Sequence, residues 1–204
     1  MNWEKVPEEK LEDAFARCGM QRLILDVENM RVSVTEDKLG RPTPLVLDFG
    51  GIGKGIALDE CKALLSSECY EVSNYIIDAG SSTILASGEK EWKIGVGASW
   101  KKRTRLETTI TLSNAVLSGS GFDLQGEHIV NPLIRAQADK WAHTWVYSTK
   151  SAAIADALST AALSLGKDEL KLAATTLQSN ILIARKQPEF ADRFRDPLKW
   201  INGD

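Results

Sequence analysis

The 204-residue chain contains few cysteines and histidines, no excess of positive charge and no long apolar run. Its three cysteines form no Cys-x-x-Cys pair, which favours structural thiols in a reducing compartment over a zinc site or a disulfide. The net charge of -3 provides no general attraction to nucleic acid or anionic lipid. No segment approaches the ~18 apolar residues that a transmembrane helix requires. We therefore expect no nucleic-acid partner and no membrane span.

The amino-terminal residues lack the basic start and apolar core of a signal peptide, and they contain no lipobox. As written, the chain is expected to be cytoplasmic. Its two histidines, His128 and His143, have no spacing that fits a zinc site or a Ser-His-Asp triad. A lone histidine is more often packed or solvated than catalytic, and we interpret His143 as structural.

Short alternating segments separated by glycine turns predict many strands, and helical spacing is confined to four segments. This pattern favours a single α+β domain with a mainly antiparallel sheet. Helices are predicted at residues 7–18, 54–66, 152–165 and 167–178, the third being closed by Gly166 as its C-cap. Strands are predicted at 22–34 (a hairpin), 44–49 (buried), 74–80, 82–88, 92–98, 105–112, 115–119, 128–132, 143–149 and 180–184.

Two further expectations concern packing. The apolar face of the helix at 54–66 is predicted to consist of Ile56, Ala57, Cys61, Leu64 and Leu65. The polar tail at 186–204 is expected to lie over the surface.

A glycine-rich turn separates the strand predicted at 44–49 from the following helix. Its glycines are Gly50, Gly51, Gly53 and Gly55, which match neither the Walker pattern nor GxGxxG. Backbone amides at a helix start, with Lys54 in the first turn, favour an anion. A tight turn with a solvated lysine fits these residues equally well. Asp48, directly before the glycines, could accept from a ligand or cap the following amides.

A second candidate site lies on the helix predicted at 152–165. Asp156, Ser159 and Thr160 stand at i, i+3 and i+4, so they share one face. A carboxylate and two hydroxyls supply only oxygen ligands, which suit Mg²⁺. Taken alone, this segment is more simply explained by Ser and Thr bonding back to helix carbonyls beside a solvated Asp.

The order of four sequence blocks resembles the ApbE family of flavin transferases over about residues 20 to 185. The glycine turn matches an Asp-x-Gly-Gly-x-x-Lys-Gly pattern with a later Asp, here Asp59. Ser118-Gly119 matches a Thr/Ser-Gly strand, and His128 to Pro132 matches a His-x-x-Asp-Pro stretch. Ala155 to Thr160 matches an Ala-Asp-Ala-Leu-x-Thr helix.

The resemblance implies a two-lobed α+β fold related to the T-fold and an FAD:protein FMN transferase activity. Such enzymes split FAD at its pyrophosphate and attach FMN through a phosphoester to a Thr or Ser of a partner flavoprotein, using Mg²⁺. The implied metal-site residues are Gly51 (through its carbonyl), Asp156, Ser159 and Thr160. The implied FAD contacts are Asp48, Gly50, Gly51, Lys54, His128 and Ile129. Asp156 and His128 are the implied catalytic residues.

Three departures from the family pattern keep a second hypothesis open, a non-catalytic or weakly flavin-binding relative or partner subunit. The family's hairpin Gly-Gly-Asp reads Gly80-Ser81-Ser82, and Asn131 replaces the Asp of the His-x-x-Asp-Pro stretch. About a hundred residues at the family's amino end have no counterpart before Met1, as in a short form or a fragment. On this ground we expect weak FAD binding and slow transfer. Family members are often exported and lipid-anchored.

Overall fold

The computed structural model describes residues 6–35, 46–67, 72–80, 82–97, 108–122, 129–131, 133–138, 140–184 and 198–201. The chain divides into two compact units. One comprises Met1–Asp48 and Val130–Ala136, and the other comprises Phe49–Ile129 and Gln137–Asp204. That the whole chain forms a single domain stays a prediction.

The amino-terminal segment of the first unit contains one helix and one hairpin, as the sequence predicts. Helix α1 spans Glu8–Ala16, a 3-10 turn spans Met20–Arg22, and strands β1 (Leu23–Asp26) and β2 (Arg31–Val34) pair antiparallel. The Asp26 carboxylate closes the hairpin turn by accepting hydrogen bonds from Asn29 Nδ2 at 2.8 Å and Asn29 N at 3.0 Å. The bond from the Asn29 side chain, and to a smaller extent the bond from its backbone amide, hold the pKa of Asp26 below its usual value.

The second unit contains the main sheet and three helices. In chain order the remaining strands are β3 (Tyr75–Asp78), β4 (Thr83–Ser87), β5 (Trp92–Val96), β6 (Thr108–Leu112), β7 (Ala115–Gly121), β8 (Val130–Asn131), β9 (Ala136–Gln137), β10 (His143–Ser148), β11 (Ser179–Ala184) and β12 (Leu198–Ile201). Of these, β8 belongs to the first unit, and β9 begins with the last residue of that unit, Ala136. The helices are α2 (Gly53–Leu65), α3 (Ala152–Ala162) and α4 (Lys167–Thr176).

The main sheet has six strands in the order β12-β11-β10-β7-β4-β3, and every neighbouring pair is antiparallel. Strands β5 and β6 form a separate antiparallel hairpin, and β8 and β9 form a short ribbon. The predicted α+β class with a mainly antiparallel sheet is therefore confirmed.

Period-two alternation gives the main sheet two apolar faces. One face packs against the helices and includes Leu85, Val116, Val146, Ile181 and Ile183, together with Leu58, Leu158, Leu163 and Leu170 from the helices. The other face includes Ala86, Leu117, Trp145 and Leu182, and it packs against Val96, Ile110 and Leu112 of the β5–β6 hairpin. Burying each large aliphatic side chain stabilises the fold by about 1.5–3 kcal/mol, so both layers are needed.

Strand β7 carries the sequence Ser118-Gly119-Ser120-Gly121, and the glycines have a packing reason. A Cβ at Gly119 would lie 2.7 Å from the Trp145 ring, and one at Gly121 would lie 2.1 Å from the His143 ring. These two rings stack with centroids 5.6 Å apart on the neighbouring strand β10. The glycines make room for the rings, and the alternating serines are left on the helix side of the strand.

Helices α2 and α3 make a close contact at Gly55. A Cβ there would lie 2.3 Å from the Ala152 carbonyl oxygen, so the two backbones approach more closely than a side chain would allow. One turn further along α2, the Asp59 carboxylate accepts from Ser151 Oγ at 2.6 Å and from the amides of Ala152 at 2.8 Å and Ala153 at 3.0 Å. Asp59 thus satisfies the amide donors at the start of α3.

The buried strand predicted at 44–49 is wrong for residues 46–49, which form no strand. Val46 is 92% exposed and Phe49 is 58% exposed. The Phe49 carbonyl accepts instead from the amides of Ile52 at 3.1 Å and Gly53 at 2.7 Å, so the backbone already turns here. A short apolar segment such as this one is buried as a strand only if a neighbouring strand is free to pair with it.

The predicted apolar face of α2 is wrong for Ile56, Ala57 and Leu64, which are exposed, whereas Cys61 and Leu65 are half-buried. Its buried residues are Gly55 and Leu58, whereas Ile56 is 43% exposed and Leu64 is 63% exposed. The close contact at Gly55 fixes which side of the helix faces α3. The face predicted from apolar spacing is displaced from the observed one by about one residue. Since each residue rotates a helix by about 100°, a displacement of one residue is enough to select a different side.

Two predictions near the carboxyl end need correction, the end of α3 and the position of the tail. Gly166 does not close α3, which ends at Ala162 with Leu163 as its C-cap. Gly166 is instead the N-cap of α4, where its N–H donates to the Glu169 carboxylate at 2.6 Å. The tail does not simply lie over the surface, since β12 pairs with the open edge of β11 and Ile201 is only 7% exposed.

Replacing Gly55 by alanine should lower the free energy of unfolding by about 1–3 kcal/mol, because the new methyl overlaps backbone atoms of α3. Gly53→Ala is the matched control, since the nearest atom to its Cβ, Phe49 Cβ, is 3.8 Å away and alanine favours the helix. Urea denaturation of both variants measures the difference. Equal midpoints would contradict the close-contact explanation.

Removing the Asp59 carboxylate should also destabilise the protein. Asp59→Ala leaves two amides and a hydroxyl at the start of α3 without their acceptor, at a cost of about 1–2 kcal/mol. Glu60→Ala, which alters an exposed side chain on the same helix, should stay within about 0.5 kcal/mol of the parent. If thermal unfolding monitored by circular dichroism gives the same loss for both variants, the capping role is wrong.

Candidate functional site

The glycine turn lies directly against helix α3. A Cβ placed on Gly51 would be 3.4 Å from Thr160 Oγ1, so the Gly51 backbone and the Thr160 hydroxyl face each other with no side chain between them. The turn itself is held by the Phe49 carbonyl, which accepts from Ile52 and Gly53. The turn thus brings backbone groups close to a hydroxyl, with helix α2 beginning immediately after it.

Asp156 is the central residue of the site and is only 3% exposed. Its Oδ2 accepts from the Gly55 amide at 3.0 Å, an amide in the first turn of α2 that has no acceptor within its own helix. Its Oδ1 accepts from Thr83 Oγ1 at 3.1 Å and from Ser118 Oγ at 3.3 Å. A carboxylate this deeply buried needs such donors, because an unpaired buried charge is strongly destabilising.

Lys54 supplies the positive charge of the site. Its Nζ lies 3.5 Å from Asp156 Oδ1 and donates to the Gly50 carbonyl at 3.4 Å. The Lys54 side chain is 38% exposed, so the ammonium stands between the buried carboxylate and solvent. An ammonium in this position remains available to an incoming anion.

Sequence reasoning missed part of the hydroxyl cluster around Asp156. Thr83 and Ser118 are register partners on β4 and β7, and their hydroxyls are 2.9 Å apart. Ser120 Oγ lies 2.9 Å from Ser159 Oγ and 3.0 Å from Thr160 Oγ1. The two-residue spacing of Ser118 and Ser120 in a strand was an available signal, but Thr83 joins them only through the order of the sheet.

The structure brings together most, but not all, of the residues predicted from sequence. Residues from the glycine turn and from α3, about a hundred positions apart, meet: Gly51, Lys54, Asp156, Ser159 and Thr160. The solvated Asp of the simpler interpretation is wrong, since Asp156 is buried. Its other element, the bonding of Ser and Thr back to helix carbonyls, is confirmed for Ser159, whose Oγ donates to the Asp156 carbonyl at 2.9 Å. Thr160 Oγ1 instead contacts Ser120 Oγ at 3.0 Å.

The other predicted residues have different surroundings. Asp48 is exposed, and it belongs to the first unit, whereas Gly50 is exposed and belongs to the second. Ile129 is partly buried against the helix-side core, and its carbonyl accepts from the Ala138 amide at 3.0 Å. His128 lies outside the described residues. Asp59, part of the matched pattern, caps α3.

The donors present fit a hard cation such as Mg²⁺. Among the described residues no cluster of three or more His, Cys, Asp or Glu could hold a metal. A cation would therefore depend on one carboxylate, Asp156, with neutral oxygens such as the Gly51 carbonyl and the Thr160 hydroxyl. Mg²⁺ accepts this arrangement, because it commonly binds one or two carboxylates and fills its shell with water and substrate phosphates.

Within the part of the chain that the structure describes, no helix is long and apolar enough to cross a membrane.

Solved structures with this fold include flavin transferases. The flavin transferase ApbE from Vibrio cholerae has a TM-score of 0.73 at 21% identity, with 96% of this chain and 60% of that chain covered. The flavinyl transferase ApbE from Pseudomonas stutzeri has a TM-score of 0.69 at 24% identity, with coverages of 91% and 58%. The ApbE protein from Thermotoga maritima has a TM-score of 0.68 at 27% identity, with coverages of 90% and 61%.

The chain thus spans about three fifths of the length of these relatives. At such identities the likeness establishes the fold, and the predicted ApbE-type architecture is confirmed. No curated protein matches the sequence significantly. The model of the ApbE family, however, matches residues 2–183, which is most of the chain. This chain belongs to the ApbE family.

Proposed function

We propose that the chain is a flavin transferase that binds the diphosphate of FAD and transfers FMN to a Thr or Ser hydroxyl of a partner flavoprotein. One observation carries the proposal. A buried carboxylate, an ammonium and the amino end of a helix converge beside a turn that has no side chain at Gly51. Family membership and the flavin transferases that share the fold support this function.

The proposed reaction is a phosphoryl transfer. The acceptor hydroxyl oxygen attacks the phosphorus of the FMN half of FAD, and a new phosphorus–oxygen bond forms. The bond from that phosphorus to the bridging oxygen breaks, and AMP leaves with the electron pair. The proton of the hydroxyl passes to a base, for which Asp156 and His128 are the candidates. Such reactions depend mainly on positioning and on neutralising phosphate charge.

The residues of the site match these requirements. Lys54, whose ammonium already stands at the solvent side of Asp156, would hold a phosphate oxygen. The Ile52 and Gly53 amides already donate to the Phe49 carbonyl, so the Gly51 amide would add the hydrogen bond from the turn at the positive end of α2. Asp48, His128 and Ile129 are proposed to contact the remainder of FAD.

The Asp156 carboxylate, the Thr160 hydroxyl and the Gly51 carbonyl, with Ser159 nearby, would hold Mg²⁺. When bound, Mg²⁺ would neutralise charge on the phosphates. The ion would have to share Asp156 with Lys54, whose ammonium lies 3.5 Å from Oδ1. Among the described contacts, Oδ2 accepts a hydrogen bond from the Gly55 amide, and its other lone pair could bind a cation.

A second candidate function, flavin binding without transfer, is favoured by one observation. Both oxygens of Asp156 already accept hydrogen bonds from the protein, from Gly55 on one side and from Thr83 and Ser118 on the other. A carboxylate satisfied in this way stabilises the fold whether or not a ligand binds. Incubating the chain with FAD, Mg²⁺ and a Ser/Thr acceptor peptide separates the two functions. Transfer releases AMP, whereas binding alone does not.

Asp156→Asn should lower the rate of Mg²⁺-dependent AMP release from FAD by at least about a hundredfold. The substitution preserves side-chain volume but removes the negative charge that the cation requires. Asp168→Asn, which alters a carboxylate in the first turn of α4, is the control and should retain the parent rate. Thermal unfolding is followed in parallel, because Asp156 also bonds α2. A rate within about threefold of the parent would remove Asp156 from the reaction.

Lys54→Met should weaken FAD binding by about tenfold while changing thermal stability little, because three hydrogen bonds to Asp156 remain. Lys62→Met is the control on the same helix, since Lys62 Nζ donates only to Asn114 Oδ1, at 3.3 Å, among the described contacts. Isothermal titration calorimetry with FAD and Mg²⁺ measures both variants. Unchanged FAD affinity in Lys54→Met would show that this lysine is only a partner of Asp156.

A further inference from the structure

Three hydroxyls form a continuous row at the edge of the site. Ser120 on β7 lies between Ser159 and Thr160 on α3, with oxygen–oxygen distances of 2.9 Å and 3.0 Å. Ser159 is fully buried, whereas Ser120 and Thr160 are partly exposed. The row therefore begins in the core and ends at the Thr160 oxygen, which faces Gly51.

One order of protons links the whole row. Ser159 Oγ lies 2.9 Å from the Asp156 carbonyl, which can only accept, and a hydroxyl has one proton to donate. When Ser159 donates to this carbonyl, it accepts from Ser120, and Ser120 in turn accepts from Thr160. Ser118 Oγ, 3.3 Å from Ser159 Oγ, donates to Asp156 Oδ1 instead. In this order the Thr160 proton is directed into the protein.

We propose that the row adopts this proton order, so that Ser120 and Ser159 are positioning residues that orient the Thr160 hydroxyl as a cation ligand. With its proton donated to Ser120, Thr160 Oγ1 keeps its lone pairs for the side that faces the Gly51 backbone. A freely rotating hydroxyl would spend part of its time with the proton on that side and would repel a cation. This inference rests on the proposed function, because it assigns a role to the neighbours of a proposed Mg²⁺ ligand.

The sheet holds the donor row in place. Ser120 is the register partner of Thr144 on β10, and Thr144 Oγ1 donates to the Ser159 carbonyl at 2.5 Å. The serine at 120 faces the helices because Gly119 and Gly121, its neighbours on β7, leave room for the rings of Trp145 and His143 on the opposite face. The position of Ser120 relative to α3 is therefore set by the strand and not by a loop.

The test is the affinity of the full chain for Mn²⁺ in the presence of FAD, measured from the electron paramagnetic resonance signal of the free ion. Ser120→Ala should weaken Mn²⁺ binding by about tenfold, since partners that orient metal ligands typically contribute this much. Ser120→Thr keeps the hydroxyl and should restore the parent affinity. Ser113→Ala removes a hydroxyl from the turn before β7 and should change nothing. Circular dichroism of each variant checks the fold.

Thr160→Val separates the failure of this inference from the failure of the proposed function. If Thr160→Val weakens Mn²⁺ binding and Ser120→Ala does not, Thr160 is a ligand but the orienting role of Ser120 is wrong. If Thr160→Val binds Mn²⁺ as the parent does, or the parent binds none, the proposed cation site is wrong and this inference fails with it. Loss in Ser120→Ala with recovery in Ser120→Thr supports it.

Discussion

Reciprocal capping between α2 and α3 is the interaction on which the candidate site depends. Asp156 of α3 accepts from the Gly55 amide near the start of α2, and Asp59 of α2 accepts from the Ala152 and Ala153 amides at the start of α3. Each helix thus supplies a carboxylate to the positive end of the other. The close backbone contact at Gly55 permits both. Without it, the glycine turn and the hydroxyls of α3 would not meet.

The sheet adds the second constraint. Antiparallel pairing places Thr83 opposite Ser118, so both hydroxyls reach one oxygen of Asp156. The Asp156 carboxylate is surrounded by hydroxyls, an amide and an ammonium. These donors stabilise the buried charge within the core, and they leave that charge at the edge of helix α3. The same contacts therefore serve the fold and the proposed chemistry. Their two roles can be separated only if stability and activity are both measured for each variant.

Local patterns in the sequence predicted the helices and most strands, because alternation and helical spacing reflect burial on one side. They also marked the glycine turn and the oxygen-bearing side chains of α3. The buried face of α2 was not predictable, since it depends on a backbone contact with a helix about a hundred residues away. The strand predicted at 44–49 failed for the described residues, and β12 was missed, because both depend on which sheet edges remain open. Thr83 escaped notice for a related reason, as only the strand order places it beside Asp156.

The fit of glycines beneath aromatic rings has a consequence for how this sequence can diverge. Gly119 and Trp145 face each other across β7 and β10, and so do Gly121 and His143. The volume within each pair is shared, so a larger residue on β7 is compatible only with a smaller one on β10. Related sequences should therefore exchange bulk within these pairs in a compensated way. Because Ser120 lies between the two glycines, such exchanges on one face of the sheet would be coupled to the spacing of the hydroxyls on the other.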